Sequence, residues 1–485
     1  MKNRTFEKKA ANKNGVKRML FVGVSILLEF LFLYMLLFRM SSDAYVTGAL
    51  RILATVLVLH IYSQKKTSAI KMPWILLLLL SPVFGIFLYY LIGLNSHTKK
   101  MQRQYREVGE ELMPLLPENR ETQESLKALD PAAANITSYL KRNAGFPVYN
   151  DSRITYFASA SDGLDAQIKA LSEARSFIFM EYHAIEYKES WKRIESVLVE
   201  KVREGVDVRV YYDDLGSIGF VNTDFRDYLE SKGIRCRVFN PLTPGLNLFL
   251  NNRDHRKITV IDGRVGFTGG YNLANEYFNV THPYGMWKDS GIRIEGSAVK
   301  NLTISFLEMW DAIKNEDQGN YQKYLPDMPP VSSDSFIVPY GDNPMDDIHV
   351  GEDVYINILN KANDYCYFMT PYLILSDELV SALNEASLRG VDVRIVTPGI
   401  PDKKVVYSVT RSFYGSLVDS GIRIYEWTPG FCHAKMCVSD DKMATCGTIN
   451  LDYRSLYHHF ENGCFFAHSP AVMDVKKDFE KTFEE

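Results

Sequence analysis

Two regimes of hydrophobic patterning divide the chain. Residues 19–38 (MLFVGVSILLEFLFLYMLLF) are apolar apart from Glu29, and residues 74–94 (WILLLLLSPVFGIFLYYLIGL) carry no charge. Either run is long enough to cross a hydrocarbon core of about 30 Å, which needs roughly 20 helical residues. Residues 44–62, interrupted by Arg51 and His60, form a weaker third candidate. The first run is too long, and its end too bulky, for a signal peptide with a small-residue cleavage site. The pattern predicts a retained membrane anchor of two to three hydrophobic helices over 19–95, behind a basic tail over 1–18. Glu29 reads as a helix–helix or interfacial contact more than as a functional acid.

From about residue 136 short β-branched or aromatic runs alternate with amphipathic stretches. SFIFMEY (176–182) and VDVRVYYDD (206–214) read as buried strands on either side of a helix around 190–204. The order returns as YCYFMTPY (365–372), a helix around 377–389, and VDVRIVTPG (391–399). GVDVR occurs at 205–209 and again at 390–394, and GIRCRVFNP (233–241) is matched by GIRIYEWTP (421–429). Two long copies in a shared register predict an internal duplication and not a solenoid. The expected fold is α/β, with similar sheet-and-helix lobes over 136–323 and 346–485. A helical connector over 96–135 precedes them, and a linker rich in Pro and Ser over 324–345 joins them.

Composition then narrows the function. The 485 residues carry a formal net charge of −4, which excludes a basic nucleic-acid binder acting through a whole-molecule field. Seven Lys and Arg against one Glu in the first eighteen residues put the N-terminus on the cytoplasmic side. Lys65, Lys66 and Lys71 favour the same side, as do Lys99, Lys100, Arg103 and Arg106. Three full crossings would carry the body outside. Two crossings, or a last segment broken by Pro82 and Gly85 that dips in and returns, keep it inside. The six cysteines (Cys236, Cys366, Cys432, Cys437, Cys446, Cys464) lack the tight spacing of a disulfide framework or a zinc site and favour the inside. The expectation is a multi-pass cell-membrane protein with its lobes on the cytoplasmic side.

Each half reaches the same cluster. The first is His255, Lys257, Asp262 and then Gly269-Gly270-Tyr271-Asn272; the second is His433, Lys435, Asp440 and then Gly447-Thr448-Ile449-Asn450. A lone HxKxxxxD is a weak signal, but two copies with G-x-x-N at the same offset are strong. On a strand, His and Lys at i and i+2 share a face. The glycines then turn the chain and bring Asn back to that face. Two halves facing each other supply two imidazoles, two ammonium groups and two amides around one anion. A phosphodiester fits, because Lys and Asn stabilise its non-bridging oxygens as charge develops. One neutral imidazole attacks phosphorus while the other, protonated, serves the departing alkoxide. No metal or other cofactor is needed for that route. The candidate catalytic set is His255, Lys257, Asp262, His433, Lys435 and Asp440, with Asp262 and Asp440 read as braces of the strand ends. Asn272 and Asn450 are the candidate phosphate-binding amides.

The duplicated HxKxxxxD with G-x-x-N resembles the phospholipase D superfamily. Within it the chain is similar to the bacterial cardiolipin synthases from about residue 63 onward. PW…SPVFGIFLYYLIG (73–93), MEYHAI (180–185), NRDHRK (252–257), MWKDSGIRIEG (286–296) and GTINLDYRSLYHHFENG (447–463) carry the likeness. The resemblance implies that two phosphatidylglycerols become cardiolipin and glycerol through a phosphatidyl-histidine, with lipid bilayer and no nucleic acid as partner. It implies His255 as nucleophile, His433 as acid and base, and Asp289 and Glu461 as the carboxylates that orient the histidines. The usual G-S-x-N serine is replaced by Gly270 and Thr448. The first half also carries an extra apolar stretch, LTPGLNLFL (242–250), read either as a lipid-interface loop or as a loop packed on the adjacent half. The alternatives are another phospholipase D-type lipid hydrolase or phosphatidyltransferase, or a non-catalytic membrane scaffold. A nuclease fits poorly with the anchor and the charge.

Overall fold

The computed structural model describes residues 2–11, 15–40, 44–64, 67–93, 96–242, 251–317, 319–331 and 333–485. The duplication becomes two sheets of one topology. The first contains β1 (Ser152–Phe157), β2 (Phe177–Tyr182), β3 (Asp207–Asp213), β4 (Arg235–Phe239), β5 (Lys257–Ile261), β6 (Val265–Gly269) and β7 (Gly291–Gly296), in the order β1-β7-β6-β5-β2-β3-β4. The second contains β8 (Phe336–Asp342), β9 (Tyr365–Met369), β10 (Asp392–Pro398), β11 (Arg423–Trp427), β12 (Met436–Ser439), β13 (Met443–Gly447) and β14 (His459–Ala467). Its order, β8-β14-β13-β12-β9-β10-β11, repeats the first strand for strand.

In each lobe the parallel strands need crossovers, and helices Glu189–Arg203 and Asp377–Leu388 supply one apiece. β2 and β9 are buried along their whole lengths, as strands covered on both faces are, and the one charge among them, Glu181, is paired with Arg256. The remaining strands are antiparallel, and β5–β6 and β12–β13 are tight hairpins. Each lobe ends in a helix, Val299–Ile313 or Pro470–Glu484, that packs on its own sheet and touches the first strand of the other lobe. One apolar core runs unbroken from Phe179 and Phe306 of the first lobe to Phe368 and Phe465 of the second.

The linker expected over 324–345 ends earlier, where its Pro- and Ser-rich part, 324–336, gives way to a strand. Residues 336–342 form β8, an edge strand, and an edge tolerates Pro339 because its missing N–H costs no ladder bond. The anchor differs too. Helix Ala44–Ser63 is the one candidate span among the described residues. Helix Gly15–Met40 precedes it, but the run 74–94 is not a single helix. It breaks at Ser81, before Pro82, into helices Ser68–Leu80 and Pro82–Gly93. These arms of 13 and 12 residues fold against each other, with Trp74 and Tyr89 edge to face at 5.6 Å. Gly85 permits the fold: a Cβ there would lie 3.0 Å from Leu78 Cα and 3.1 Å from the Leu77 carbonyl oxygen. At 1.5 Å per residue neither arm reaches across a core of about 30 Å.

The basic tail is docked. Helix Lys2–Ala10 packs on helix Asp224–Glu230 of the first lobe, and Arg18 grips Asp214 with two hydrogen bonds of 2.6 and 3.2 Å. The apolar stretch 242–250 falls, from 243 onward, outside the described residues.

Candidate active site

Two short parallel ladders cross from lobe to lobe. Arg253–Asp254 pairs with His459–Phe460, and Gly430–Cys432 pairs with Met286–Lys288. One residue further along each ladder, a motif histidine meets a carboxylate of the opposite lobe. His255 donates its backbone N–H to the Phe460 carbonyl at 2.9 Å, and its Nδ1 lies 2.9 Å from Glu461 Oε2. His433 donates its backbone N–H to the Lys288 carbonyl at 2.7 Å, and its Nδ1 lies 2.7 Å from Asp289 Oδ2. All four side chains are buried. Neither half-site is complete within its own lobe, and the carboxylates engage Nδ1 and leave Nε2 of each ring to the centre of the cluster.

The lysines join the same cluster. Lys257 and Lys435 each turn the ammonium group onto the carbonyl of their own motif histidine, and Lys435 Nζ lies 2.8 and 3.0 Å from the His433 ring nitrogens. Burial pushes Lys257 down to about 7 and Lys435 to about 8, with Glu461 and Asp289 opposing the change. Burial and the Lys257 charge hold His255 well below the usual imidazole value. His433 is pushed down to about 4 by burial and Lys435, while Asp289 pulls it back up.

The two carboxylates are not equivalent. Glu461 accepts hydrogen bonds from Thr448 Oγ1 and Ser455 Oγ as well as meeting His255. Among the described residues Asp289 accepts only the Ser290 N–H at 3.0 Å and a long contact of 3.4 Å from the Trp287 indole besides meeting His433. Burial would raise the Asp289 carboxyl, but His433 and Lys435 outweigh it and hold it below the usual range. Gly270 explains part of the difference. A Cβ there would lie 2.1 Å from Asp289 Oδ1, so the hydroxyl that Thr448 offers in the other half has no counterpart.

Asn272 is largely engaged within the protein. Its Oδ1 accepts the Ala184 N–H at 3.1 Å and its Nδ2 donates to the Tyr277 hydroxyl at 2.9 Å, which leaves one N–H for a ligand. The Asn450 side-chain oxygen is buried with no hydrogen-bond partner among the described residues. Asp262 and Asp440 stand apart from the cluster. Asp262 accepts the backbone N–H groups of Arg175, Ser176 and Phe177 at 2.8, 2.7 and 2.9 Å. Asp440 does the same for Asn363, Asp364 and Tyr365 at 2.8, 3.0 and 2.9 Å. Both tie a hairpin turn to the start of the neighbouring central strand, so in position they are braces and not catalytic groups.

Sequence reasoning passed over three groups of neighbours. His183, whose Nδ1 lies 2.7 Å from the Asp254 carbonyl, and His459 bring their rings within 5.0 and 5.4 Å of His255. Ser455 supports Glu461, and Tyr277 and Trp287 flank His433. The second histidine of HHFENG, two residues before Glu461, was the available signal. His255, His459 and Glu461 also bring ligand-type atoms within 4.8 Å of one another, the grouping among the described residues that could hold a metal ion. The Glu461 oxygens are already taken by protein donors, which argues against that use.

The chain matches the family profile of the cardiolipin synthase phospholipase D-like domain over residues 167–310 and 355–483. It matches the phospholipase D-nuclease N-terminal profile over residues 52–93. It is 40% identical to an uncharacterized protein of Streptococcus mutans, over 88% of this chain and 93% of that one. It is 30% identical to cardiolipin synthase 1 of Staphylococcus aureus, over 87% of each chain. Its fold is similar to that of phosphatidylserine synthase from Haemophilus influenzae, with a TM-score of 0.55 at 15% identity over 72% of this chain and 90% of that one.

Proposed function

The chain belongs to the cardiolipin synthases of the phospholipase D superfamily and is a phosphatidyltransferase; we propose that it joins two phosphatidylglycerol molecules into cardiolipin and glycerol. The observation that carries this reading is the pairing of each motif histidine with a buried carboxylate of the opposite lobe, in one cluster with both lysines.

The inequality of the carboxylates supports His255 as nucleophile and His433 as acid. Hydroxyl donors share the Glu461 charge, so little of it is left to favour a His255 imidazolium, and the ring stays a neutral nucleophile. The Asp289 charge is committed to His433. An entering phosphodiester brings a negative charge that raises both rings and both lysines, and His433 gains the proton first. His255 Nε2 then attacks phosphorus, the bond to the glycerol oxygen breaks, and His433 Nε2 gives that oxygen its proton. The same imidazole takes the proton from the incoming hydroxyl of the second lipid. Proton transfer of this kind contributes about 10²–10⁴-fold. Lys257, Lys435, the free N–H of Asn272 and the Asn450 amide stabilise the equatorial oxygens.

The protein is membrane-associated, and the docked tail supports a particular topology. The N-terminus lies against the first lobe, so tail and lobes share one side of the bilayer, and the basic tail makes that side cytoplasmic. Helices Gly15–Met40 and Ala44–Ser63 then cross and return, and the hairpin about Ser81 dips in from the same side.

The test incubates full-length protein in detergent micelles with phosphatidylglycerol and follows cardiolipin and glycerol together. Equimolar release is expected, and phosphatidic acid as the main product would instead identify a hydrolase. His255→Ala and His433→Ala should each abolish turnover, and only His433→Ala should still form a phosphatidyl-protein adduct visible by mass spectrometry.

A further inference from the structure

The matching topology of the lobes lets the two half-sites be compared position by position. Trp287 stands two residues before Asp289 as His459 stands two before Glu461, and the cross-lobe ladders set Trp287 opposite Phe431 and His459 opposite Arg253. Tyr277 follows Asn272 at the interval by which Ser455 follows Asn450. Every aromatic neighbour of His433 therefore has a polar counterpart near His255. The ring centroids of Tyr277, Trp287 and Phe431 lie 5.2, 5.3 and 5.8 Å from that of His433. Tyr277 and Trp287 pack at 4.5 Å and Trp287 and Phe431 at 4.8 Å, so the three form a continuous buried collar. Across the site Ser455 donates to Glu461, Arg253 is paired with Asp213, and His459, whose ring nitrogens make no hydrogen bond among the described residues, holds Nδ1 3.4 Å from Glu461 Oε1.

We propose that Tyr277, Trp287 and Phe431 form the subsite of the polyol headgroup, both the one that leaves and the one that enters, and that this collar makes the intermediate react with an alcohol in preference to water. The proposal rests on the reading that His433 serves the leaving and entering oxygens. The C–H faces of a glycerol pack on ring faces, whereas a water molecule needs about two to four polar partners to be held. Beside His433 the collar presents only the Tyr277 hydroxyl and an indole N–H that is turned toward Asp289. In the second step the incoming hydroxyl oxygen bonds to phosphorus as the phosphorus–nitrogen bond to His255 breaks, and its proton passes to His433. Water reacting in the same way gives phosphatidic acid, so the product ratio reports the collar directly.

The experiment measures cardiolipin against phosphatidic acid from phosphatidylglycerol micelles, with full-length wild type, Trp287→His, Tyr277→Ser and Trp287→Phe. The first two install the residues of the other half-site. Each should shift the ratio toward phosphatidic acid by about tenfold, the size of effect a lost aromatic contact carries, while Trp287→Phe stays within about twofold. Long incubation at high protein concentration reads the ratio even in slow variants. If Trp287→His does not fold, Trp287→Leu, which is apolar but has no ring face, takes its place with the same expectation. Folded variants that consume lipid at the wild-type product ratio overturn the collar. A wild type that makes no cardiolipin refutes the underlying reaction instead.

Discussion

Replacing Asp289 by Asn tests the division of labour between the histidines. Asn keeps an oxygen that can accept the His433 Nδ1–H, so the neutral ring stays oriented, but the charge is lost. A hydrogen bond to a charged group contributes about 1.5–3 kcal/mol. One pKa unit corresponds to about 1.36 kcal/mol, so the substitution lowers the His433 pKa in the lipid complex by about 1–2 units. In the proposed mechanism His433 is protonated to release the first alcohol, and above its pKa the protonated fraction falls about tenfold per pH unit. The rate at neutral pH should therefore fall about 10–100-fold, with a deficit that shrinks as pH drops through the lowered value. Glu461→Gln should behave differently. Thr448 and Ser455 already share the Glu461 charge, and His255 acts as a neutral ring, so the variant loses orientation and its rate falls by one factor at every pH. The assay is kcat on saturating phosphatidylglycerol micelles from pH 4.5 to 8.5 for both variants, with thermal melts as a check of folding. If Glu461→Gln moves the alkaline limb and Asp289→Asn does not, the roles are exchanged. If neither moves it, the electrostatic assignment fails.

Asp262→Ala and Asp440→Ala each orphan three backbone N–H groups, at a cost of about 2–4 kcal/mol. Their melting temperatures should fall while kcat of the folded protein stays within about threefold of wild type, and a lost kcat with an unchanged melt would refute the bracing role. Gly270→Ser forces a Cβ to 2.1 Å from Asp289 Oδ1, so its rate and alkaline limb should follow those of Asp289→Asn; wild-type behaviour would remove the steric reason for this glycine. Gly85→Leu cannot keep the 3.0 Å approach to Leu78 and should lower both the melting temperature and the yield of folded protein. Single cysteines at Asn3→Cys and Glu484→Cys should be labelled together, and only after the cell membrane is permeabilised; labelling of one alone would rule out an even number of crossings.

The repeated strands were readable because their β-branched and aromatic runs recur in one order, and both copies of DVR lie where that pattern put them, in β3 and β10. The second lobe begins before its expected start at 346, because β8, an edge strand that carries Pro339, follows directly on the Pro- and Ser-rich stretch. Hydropathy sums across Ser81 and Pro82, but Pro82 and Gly85 already marked the run as one that could dip in and return, and the helix does break there. The His, Lys and Asn of the motifs announced themselves by spacing. Which carboxylate serves which histidine did not, because the ladders that join them bring together residues 206 and 144 positions apart. The aromatic collar was hidden for the same reason. Trp287, Tyr277 and Phe431 are ordinary core residues locally and become a set only around His433.

Duplication provides a symmetric cradle for an anion, but displacement at phosphorus needs opposite protonation states in its two imidazoles. Two identical half-sites would give both rings the same affinity for the proton and leave the reactive arrangement to chance. Here the inequality is built by coupled differences around one pseudo-two-fold position. Thr448 and the longer Glu461 fit together, and the hydroxyl consumes part of the carboxylate charge. Asp289 occupies the space that any Cβ at position 270 would need, so the shorter acid and Gly270 require each other. The charge that no hydroxyl shares is left to His433, with Lys435 beside it. That ring also carries the aromatic wall, and the imidazole biased toward the proton is thereby the one screened from water. Restoring a hydroxyl at 270 without lengthening Asp289 should break the bias, and changing both residues together should move His433 toward the electrostatics of His255.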